Sequence, residues 1–552
     1  MKKSFLLAFA LTAMTVQAQD YKVPVSEADE PMQAGSFDPT WESLRKYETP
    51  KWFRDAKFGI WAHWGPQCVE GSGDWMAREL YMEGNYKSNF HREHYGHPSE
   101  VGFKDILPLF KAENWTPDEL VAFYKDVVGA RYFFALGNHH DNFDLWDSKY
   151  QEWNSVAIGP KRDILDGWAK AAKKAGLPFG ISFHADHAWT WYEPSRRFDL
   201  KGDKIGVRYD GWLTKEDGYK PNADGTEKWW KGLDPQNLYA QNHDFSDNTW
   251  DNGAIHRQWG WENGACAPTG KYVTNFYNRT LDAINRYNPD LIYFDVTVLP
   301  FYPVSDAGMK IAAHMYNRSE AQNKGRNEAV VFGKILTEEQ KEALVWDVER
   351  GAPNKIMERP WQCCNCIGGW HYDTGIYERG HYKNARTVAK LLVDIVSKNG
   401  NMLLSVPLRS NGTPDEKEIA ILKEFGAWMK VNGESIYGTR PWAKFGEGPI
   451  ADSDIKINAQ GFNDGNYAKA GSGEIRFTQT DKYLYVSALA WPEDGKMSVR
   501  ALAKDSHLFL GEIKQVELLG YGKVRFERTP NALVVTLPEP CNTIMPVLKI
   551  KK

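Results

Sequence analysis

Residues 131–146, RYFFALGNHHDNFDLW, run from an aromatic and aliphatic stretch straight into a polar cluster of Asn138, His139, His140, Asp141 and Asn142. A buried strand that ends at a site reads this way. In a parallel barrel the strand interior is packed core, while the residues just past its C-terminal end line a shared mouth. Paired histidines after a strand also cap helices or hydrogen-bond loops, so this stretch alone leaves both readings open. Recurrence decides between them. Residues 57–65, KFGIWAHWG, deliver His63 and Trp64 before a Gly-Pro break. Residues 177–187, LPFGISFHADH, end in His184, Asp186 and His187, and residues 288–295, NPDLIYFD, open on a turn signal and finish in Asp295. Between these runs lie segments of helical periodicity, such as ILDGWAKAAKKA at 164–175 and the run at 273–287. Strand and helix therefore alternate, which predicts an α/β chain folded as a parallel (β/α) TIM-like barrel with its site at the C-terminal mouth.

The chain changes character near residue 445. Beyond it come short alternating runs, GEIRFTQT, YLYVSALAW, VRFERT and ALVVTLPE, separated by polar turns. Period-2 alternation at this spacing predicts an antiparallel β-sandwich, so the expected layout is a barrel over 19–445 and a sandwich domain over 446–552. Within the barrel, residues 190–272 form a long polar insertion containing Trp212, Trp229, Trp230, Trp250, Trp259 and Trp261. A loop of that length is read as a lid or extended-substrate wall over the mouth, or alternatively as decoration.

With 552 residues, 42% of them hydrophobic, the chain has ample material for a large core. A net charge of −4 gives no reason to expect a nucleic acid or an anionic membrane as partner. The 23 Trp and 26 Tyr exceed what a core requires. Aromatic faces stack on the C–H surface of sugar rings, which points to carbohydrate; aromatic-rich loops are the plainer reading. At the N-terminus, Lys2 and Lys3 precede an apolar stretch too short to cross a bilayer, and Val16-Gln17-Ala18 makes a small-residue cleavage site. Residues 1–18 are therefore expected to be a signal peptide, and the protein to be exported, periplasmic or extracellular, without membrane insertion. The cysteines are Cys68, Cys266, Cys363, Cys364, Cys366 and Cys541, and the CCNC run lacks the paired CxxC spacing of structural zinc. An exported chain could form one disulfide whose members the sequence does not choose.

KFGIWAHWG, the following GDWMARELY, GNHHDNFDLW, the strand ending at Asp295, and the block LLVDIVSKNGNMLLSVPLRSNGTPDE with NGESIYGTRPW together resemble the α-L-fucosidases of glycoside hydrolase family 29. The resemblance covers most of residues 40–445 in order. It implies a (β/α) barrel followed by a β-sandwich. It also implies hydrolysis of terminal α-L-fucose with retention from a fucosylated oligosaccharide or glycoconjugate, with no metal and no cofactor. Such chemistry places two carboxyl groups about 5–5.5 Å apart around the anomeric carbon.

Asp295 resembles the family nucleophile; capping of the next helix is the other reading of that residue. For the acid/base, the region VWDVERGAPNKIMERPWQCCNCIGGWHY departs from the family pattern: Gln362 follows Trp361 where many members have Glu, and Gly351-Ala352-Pro353 stands where a further glutamate is usual. Glu349 leads because it ends the apolar run at 343–348, Glu358 comes next, and Glu338 and Glu339 fall in what reads as a helix start. Glu349 could instead pair with Arg350 or Lys355. Whichever glutamate serves must hold its proton near neutrality in the free enzyme. His63, His139 and His140 match family residues that hydrogen-bond fucose hydroxyls, a task suited to neutral imidazoles with one donor and one acceptor. Asp74 and Trp75 stand where a glutamate-tryptophan pair is commoner, Tyr293 replaces a frequent tryptophan, and Ser182-Phe183-His184 replaces a tyrosine pair. His184 and Trp370 are further candidate contacts. Because these departures cluster around the sugar, a related exo-glycosidase such as an α-L-galactosidase, or a catalytically silent glycan-binding protein on the same scaffold, are the alternatives.

Overall fold

Eight apolar runs become strands: β1 (Phe58–Ala62), β2 (Phe133–Asn138), β3 (Phe179–Phe183), β4 (Leu291–Phe294), β5 (Val330–Gly333), β6 (Val345–Glu349), β7 (Trp361–Cys366) and β8 (Gly400–Ser405). Neighbours pair in parallel in chain order, and β8 closes on β1 in the register Phe58↔Met402 to Trp61↔Ser405. The strands are buried along their whole length, apart from Trp346 and Glu349 on β6. Burial on both faces is why they read as continuous apolar runs rather than alternating ones. In this computed structural model the described residues are 21–252, 264–453, 458–465 and 469–552. The leader read at 1–18, and Trp259 and Trp261, lie outside them.

Helices cover the outside of the barrel for reasons visible in their sequences. Over Ile164–Ala175 the Asp163 carboxylate caps the start by accepting from the Asp166 amide at 2.8 Å, and Gly176 ends it at φ +67°. Ile164, Leu165, Trp168, Ala171 and Ala172 recur at helical spacing and are buried. Each such large side chain contributes roughly 1.5–3 kcal/mol by leaving water. The helix Gly270–Tyr287 presents a similar inner face and carries the fully buried Arg279.

The C-terminal part begins with β9 (Arg440–Glu447) and continues through β10 (Ile475–Gln479), β11 (Tyr483–Ala488), β12 (Lys496–Val499), β13 (Val516–Leu518), β14 (Gly522–Lys523), β15 (Arg525–Arg528), β16 (Leu533–Thr536) and β17 (Val547–Lys551). A six-stranded sheet in the order β14-β13-β17-β11-β10-β9 faces a three-stranded one, β12-β16-β15, and all their pairings are antiparallel. Phe477, Leu484, Val486, Met497, Val499, Leu533 and Val535 form the core between them.

This sandwich is bolted to the barrel. Arg476 on β10 is fully buried and donates through Nε to Asp394 of helix Ala385–Ser397 at 2.6 Å and through Nη1 to Glu474 at 2.9 Å. Trp428 Nε1 donates to the Met545 carbonyl at 3.2 Å.

The insertion is ordered over its described residues as 3-10 turns with a short helix, Pro235–Tyr239. It packs beside the loops that follow β1 and β2. Asp210 accepts from Tyr81 at 2.7 Å and Tyr239 at 2.6 Å and pairs with Lys104 at 3.1 Å, while Arg92 grips Asp199 with two bonds of 2.8 Å. None of the six cysteines is in a disulfide. No helix among the described residues is long and apolar enough to cross a membrane.

Candidate active site

A cavity of about 520 Å³ opens at the C-terminal ends of the barrel strands. Nearly every strand delivers a side chain to it, directly or one residue away. Trp61 and His63 come from the end of β1, His139 follows β2, His184 follows β3, and Tyr293 and Asp295 come from the end of β4. Lys334 follows β5, Glu349 ends β6, and Trp370 lies beyond β7, while Ser405 at the end of β8 hydrogen-bonds His63 Nδ1 at 2.8 Å. Asp74 and Trp75 enter from the loop after β1. A separate cavity of about 300 Å³, between the insertion and helix Gly270–Tyr287, has no carboxylate in its wall among the described residues. It therefore lacks the groups that acid-base hydrolysis needs.

Asp295 and Glu349 are bridged by one ammonium. Lys334 Nζ donates to Asp295 Oδ1 and, at 2.8 Å, to Glu349 Oε2. Two carboxylate oxygens bonded to one nitrogen are separated by at most two hydrogen-bond lengths, about 6 Å. Glu349 thus pairs with neither Arg350 nor Lys355, the partners its other reading offered; Arg350 turns instead to Asp464 at 3.3 Å. Nor does Asp295 cap a helix, since the next one starts after Asp306. Burial pulls the Asp295 carboxyl upward, but the Lys334 charge and the nearby His140 and His184 rings overcome it and hold the group well below the ordinary carboxylate range. Reciprocally, burial would lower the Lys334 ammonium, yet the two carboxylates hold it well above its usual value. Both directions agree on an ionised pair.

Around Asp295 the histidines divide into two groups. His63, His139 and His184 face the cavity and are kept neutral by burial: the first two are driven far below the usual imidazole value, and His184 to about 4. Gln67 Nε2 lies 2.6 Å from His139 Nδ1, which orients that ring. His140 sits behind Asp295 and is not among the cavity-lining side chains. Its Nδ1 donates to the His184 carbonyl at 2.6 Å and its Nε2 lies 3.1 Å from Asp295 Oδ2. The expectation that His140 meets the sugar is therefore replaced by contact with Asp295. His184 Nδ1 approaches the same oxygen to 3.3 Å without hydrogen-bond alignment. Asn138 ties the two strand ends together: its Oδ1 accepts from the amides of His184 at 3.1 Å and Ala185 at 3.2 Å, and its Nδ2 donates to Asp144 at 3.0 Å.

Asp74 is held by His371, whose Nδ1 lies 2.6 Å from Oδ1, and His139 Nε2 is 3.8 Å from the same atom. Burial raises the Asp74 carboxyl, and the His371 bond more than offsets it, leaving the net shift downward. Trp75 adopts φ +64°, a left-handed conformation that costs a non-glycine residue of order 1 kcal/mol and turns its ring into the cavity. The aromatic floor continues through Trp61, whose ring centroid lies 4.8 Å from Tyr293 and 6.0 Å from Trp370. Among the described residues, two groups place ligating atoms within 4.8 Å of one another, His139 with His140 and His184, and Asp74 with His139 and His371. In both, hydrogen bonds within the protein already engage several of those atoms.

The runner-up glutamates are elsewhere. Glu358 is exposed and contributes only its carbonyl to Asn399, and Glu338 and Glu339 are exposed ahead of the helix Gln340–Ala343. No described residue of the insertion lines the cavity, and its described part bonds the loops after β1 and β2. Sequence reading missed Lys334, although VVFGK repeats the pattern of an apolar run that ends in a charge. It also missed Gln460 and Phe462, which reach the cavity from beyond β9 and carry no local signal.

A model of the α-L-fucosidase family matches residues 25–434, and a model of the α-L-fucosidase C-terminal domain matches residues 470–551. Human plasma alpha-L-fucosidase is 24% identical over 538 residues, covering 92% of this chain and 89% of that protein. Rat tissue alpha-L-fucosidase is 22% identical over 526 residues, covering 91% and 89%. The crystal structure of Thermotoga maritima alpha-fucosidase in complex with fucose is similar in fold, with a TM-score of 0.64 at 23% identity over 93% of this chain and 100% of that one. With the barrel and the sandwich each matched along its length, this chain belongs to the α-L-fucosidase family.

Proposed function

We propose that this protein is an exported exo-α-L-fucosidase that removes terminal fucose from fucosylated oligosaccharides or glycoconjugates with retention of configuration. Asp295 is the nucleophile and Glu349 the acid/base. The observation that carries this reading is the single ammonium of Lys334 between the two carboxyl groups. The upper bound it sets on their nearest oxygens, about 6 Å, accommodates the roughly 5–5.5 Å of retaining enzymes. Once Glu349 has taken up a proton it gives it to the glycosidic oxygen, while Asp295, kept ionised by Lys334, attacks the anomeric carbon and forms a glycosyl ester. Glu349, now a carboxylate, takes a proton from the entering water, whose oxygen displaces Asp295 and restores the α configuration. Neutral His63, His139 and His184 hold the sugar hydroxyls with Asp74, and Trp61, Trp75, Tyr293 and Trp370 enclose the ring's C–H surface.

Two variants test the roles. Asp295→Asn should lower turnover of an aryl α-L-fucoside by several orders of magnitude, and an unchanged rate would remove the nucleophile assignment. Glu349→Ala should lose natural glycosides more severely than activated aryl ones, and azide, displacing Asp295 from the glycosyl ester as water does, should restore its rate on aryl fucosides while yielding the α-fucosyl azide. The first-formed sugar anomer, followed by NMR, must be α; a β product would exclude retention.

A further inference from the structure

We propose that the cavity contains a binding wall for the leaving-group sugar, built by Phe462 together with Ile335, which takes a pyranose by one of its C–H faces. The proposal rests on Glu349 as the acid, because that assignment puts the glycosidic oxygen, and whatever is attached to it, on Glu349's side.

The cavity is chemically lopsided. Its histidines, Asp74 and the aromatic floor are buried or half-buried. On the side of Glu349 the wall instead carries two large apolar side chains left open to solvent, Ile335 at 62% and Phe462 at 55% exposure. Apolar area at the rim of a polar site is the usual mark of a surface that a ligand covers. Phe462 is also held there at a cost. Its φ of +50° is left-handed, which costs a residue with a Cβ of order 1 kcal/mol and persists only where neighbours enforce it.

The neighbours are on the page. Gln460 Nε2 donates to the carbonyls of Lys334 at 3.0 Å and Asp347 at 2.8 Å, while its Oε1 accepts from the Glu349 amide at 3.2 Å. Asn463 exchanges two bonds with the Ala352 backbone, at 3.1 and 3.2 Å, and the Asp464 amide donates to the Arg350 carbonyl at 3.1 Å. The Arg350 guanidinium lies 5.7 Å from the Phe462 ring centroid. Phe462 is therefore fixed relative to Glu349 itself, within a few bonds, and its exposed ring surface is open to a ligand. An aromatic platform tied so closely to the proton donor sits where the departing sugar must lie, and stacking on pyranose C–H groups is the contact such a ring offers.

The test compares two substrates that differ only in the leaving group: an α-L-fucosyl disaccharide with a pyranose leaving group, and α-L-fucosyl fluoride, whose leaving group has no ring. Phe462→Ala should lower the ratio of their kcat/KM values about tenfold, equivalent to about 1.4 kcal/mol. Phe462→Leu, which keeps the bulk and loses the aromatic face, should lower it too, and Phe462→Tyr should preserve it. A ratio unchanged in the alanine and leucine forms, whatever the individual rates, overturns the proposal. Failure of the acid assignment would appear separately, as full activity of Glu349→Ala on the disaccharide.

Discussion

Lys334 is the residue on which the two carboxyl groups depend, and its removal has a computable direction. Lys334→Met would leave Asp295 and Glu349 facing each other without a counter-charge. We expect kcat/KM to fall about 100-fold or more, the order seen when a single preorganised donor is lost from a catalytic site. The acid limb of the pH profile should move to higher pH, since Asp295 is ionised in the parent far below the ordinary range and loses the main charge that keeps it so. Lys334→Arg should retain part of both. His184 gives a second prediction. Burial lowers its folded-state value to about 4 from 6.5, with Asp295 pulling the other way. The unfolded chain binds that proton on the way down from 6.5 and the folded chain does not, so stability is lost as pH falls from about 6.5 to about 4, by as much as about 3 kcal/mol. A His184→Asn variant should show a shallower decline in Tm across that window, and an equally steep one would contradict the neutral imidazole. Asp295, Glu349 and the histidines were legible in the sequence because each ends an apolar run. Lys334 follows the same rule at the end of VVFGK, but a lysine after a strand more often marks a solvated surface than a site. The replacement of sugar contact by Asp295 contact at His140 was not legible, since adjacent residues after a strand point in different directions and nothing local says which faces the mouth.

At the scale of elements, the turn after β2 owes its shape to a helix far along the chain. Arg279 donates to Asp144 Oδ2 at 3.0 Å and to Asn142 Oδ1 at 2.6 Å, both buried, and Asn142 itself adopts φ +62°. This fixes the stretch that carries His139 and His140. Even with that bridge, burial keeps the Asp144 carboxyl above its ordinary range. Replacing Arg279 with Met strands it, at a cost of about 3 kcal/mol, the lower end for a broken buried pair because the carboxyl neutralises readily. Denaturant unfolding should show this loss at neutral pH and a smaller one as the pH is lowered and Asp144 takes up its proton; a loss independent of pH would point to packing alone. Helix Ile164–Ala175 and the strands around His63, His139, His184 and Asp295 were readable because periodicity and caps are local. The insertion was not, because Trp212, Trp229 and Trp230 say nothing of which surface they will meet.

For the whole molecule, the buried Arg476–Asp394 pair and the Trp428–Met545 bond make the barrel and the sandwich mutually dependent. Calorimetry should therefore record one cooperative transition, and two resolved peaks would refute the coupling. The class of each half was readable from its hydrophobic period, continuous runs against alternating ones. Their joint was not, since Gln460 meets Lys334, Asp347 and Glu349 across more than a hundred residues of chain. That amide has a consequence for how such proteins diversify. Gln460, which grips the Glu349 backbone, and the exposed Phe462 ring both come from the β9–β10 connection inside the sandwich, so exchanging the C-terminal half for that of a relative would replace the Glu349 side of the cavity and leave the histidine side as inherited.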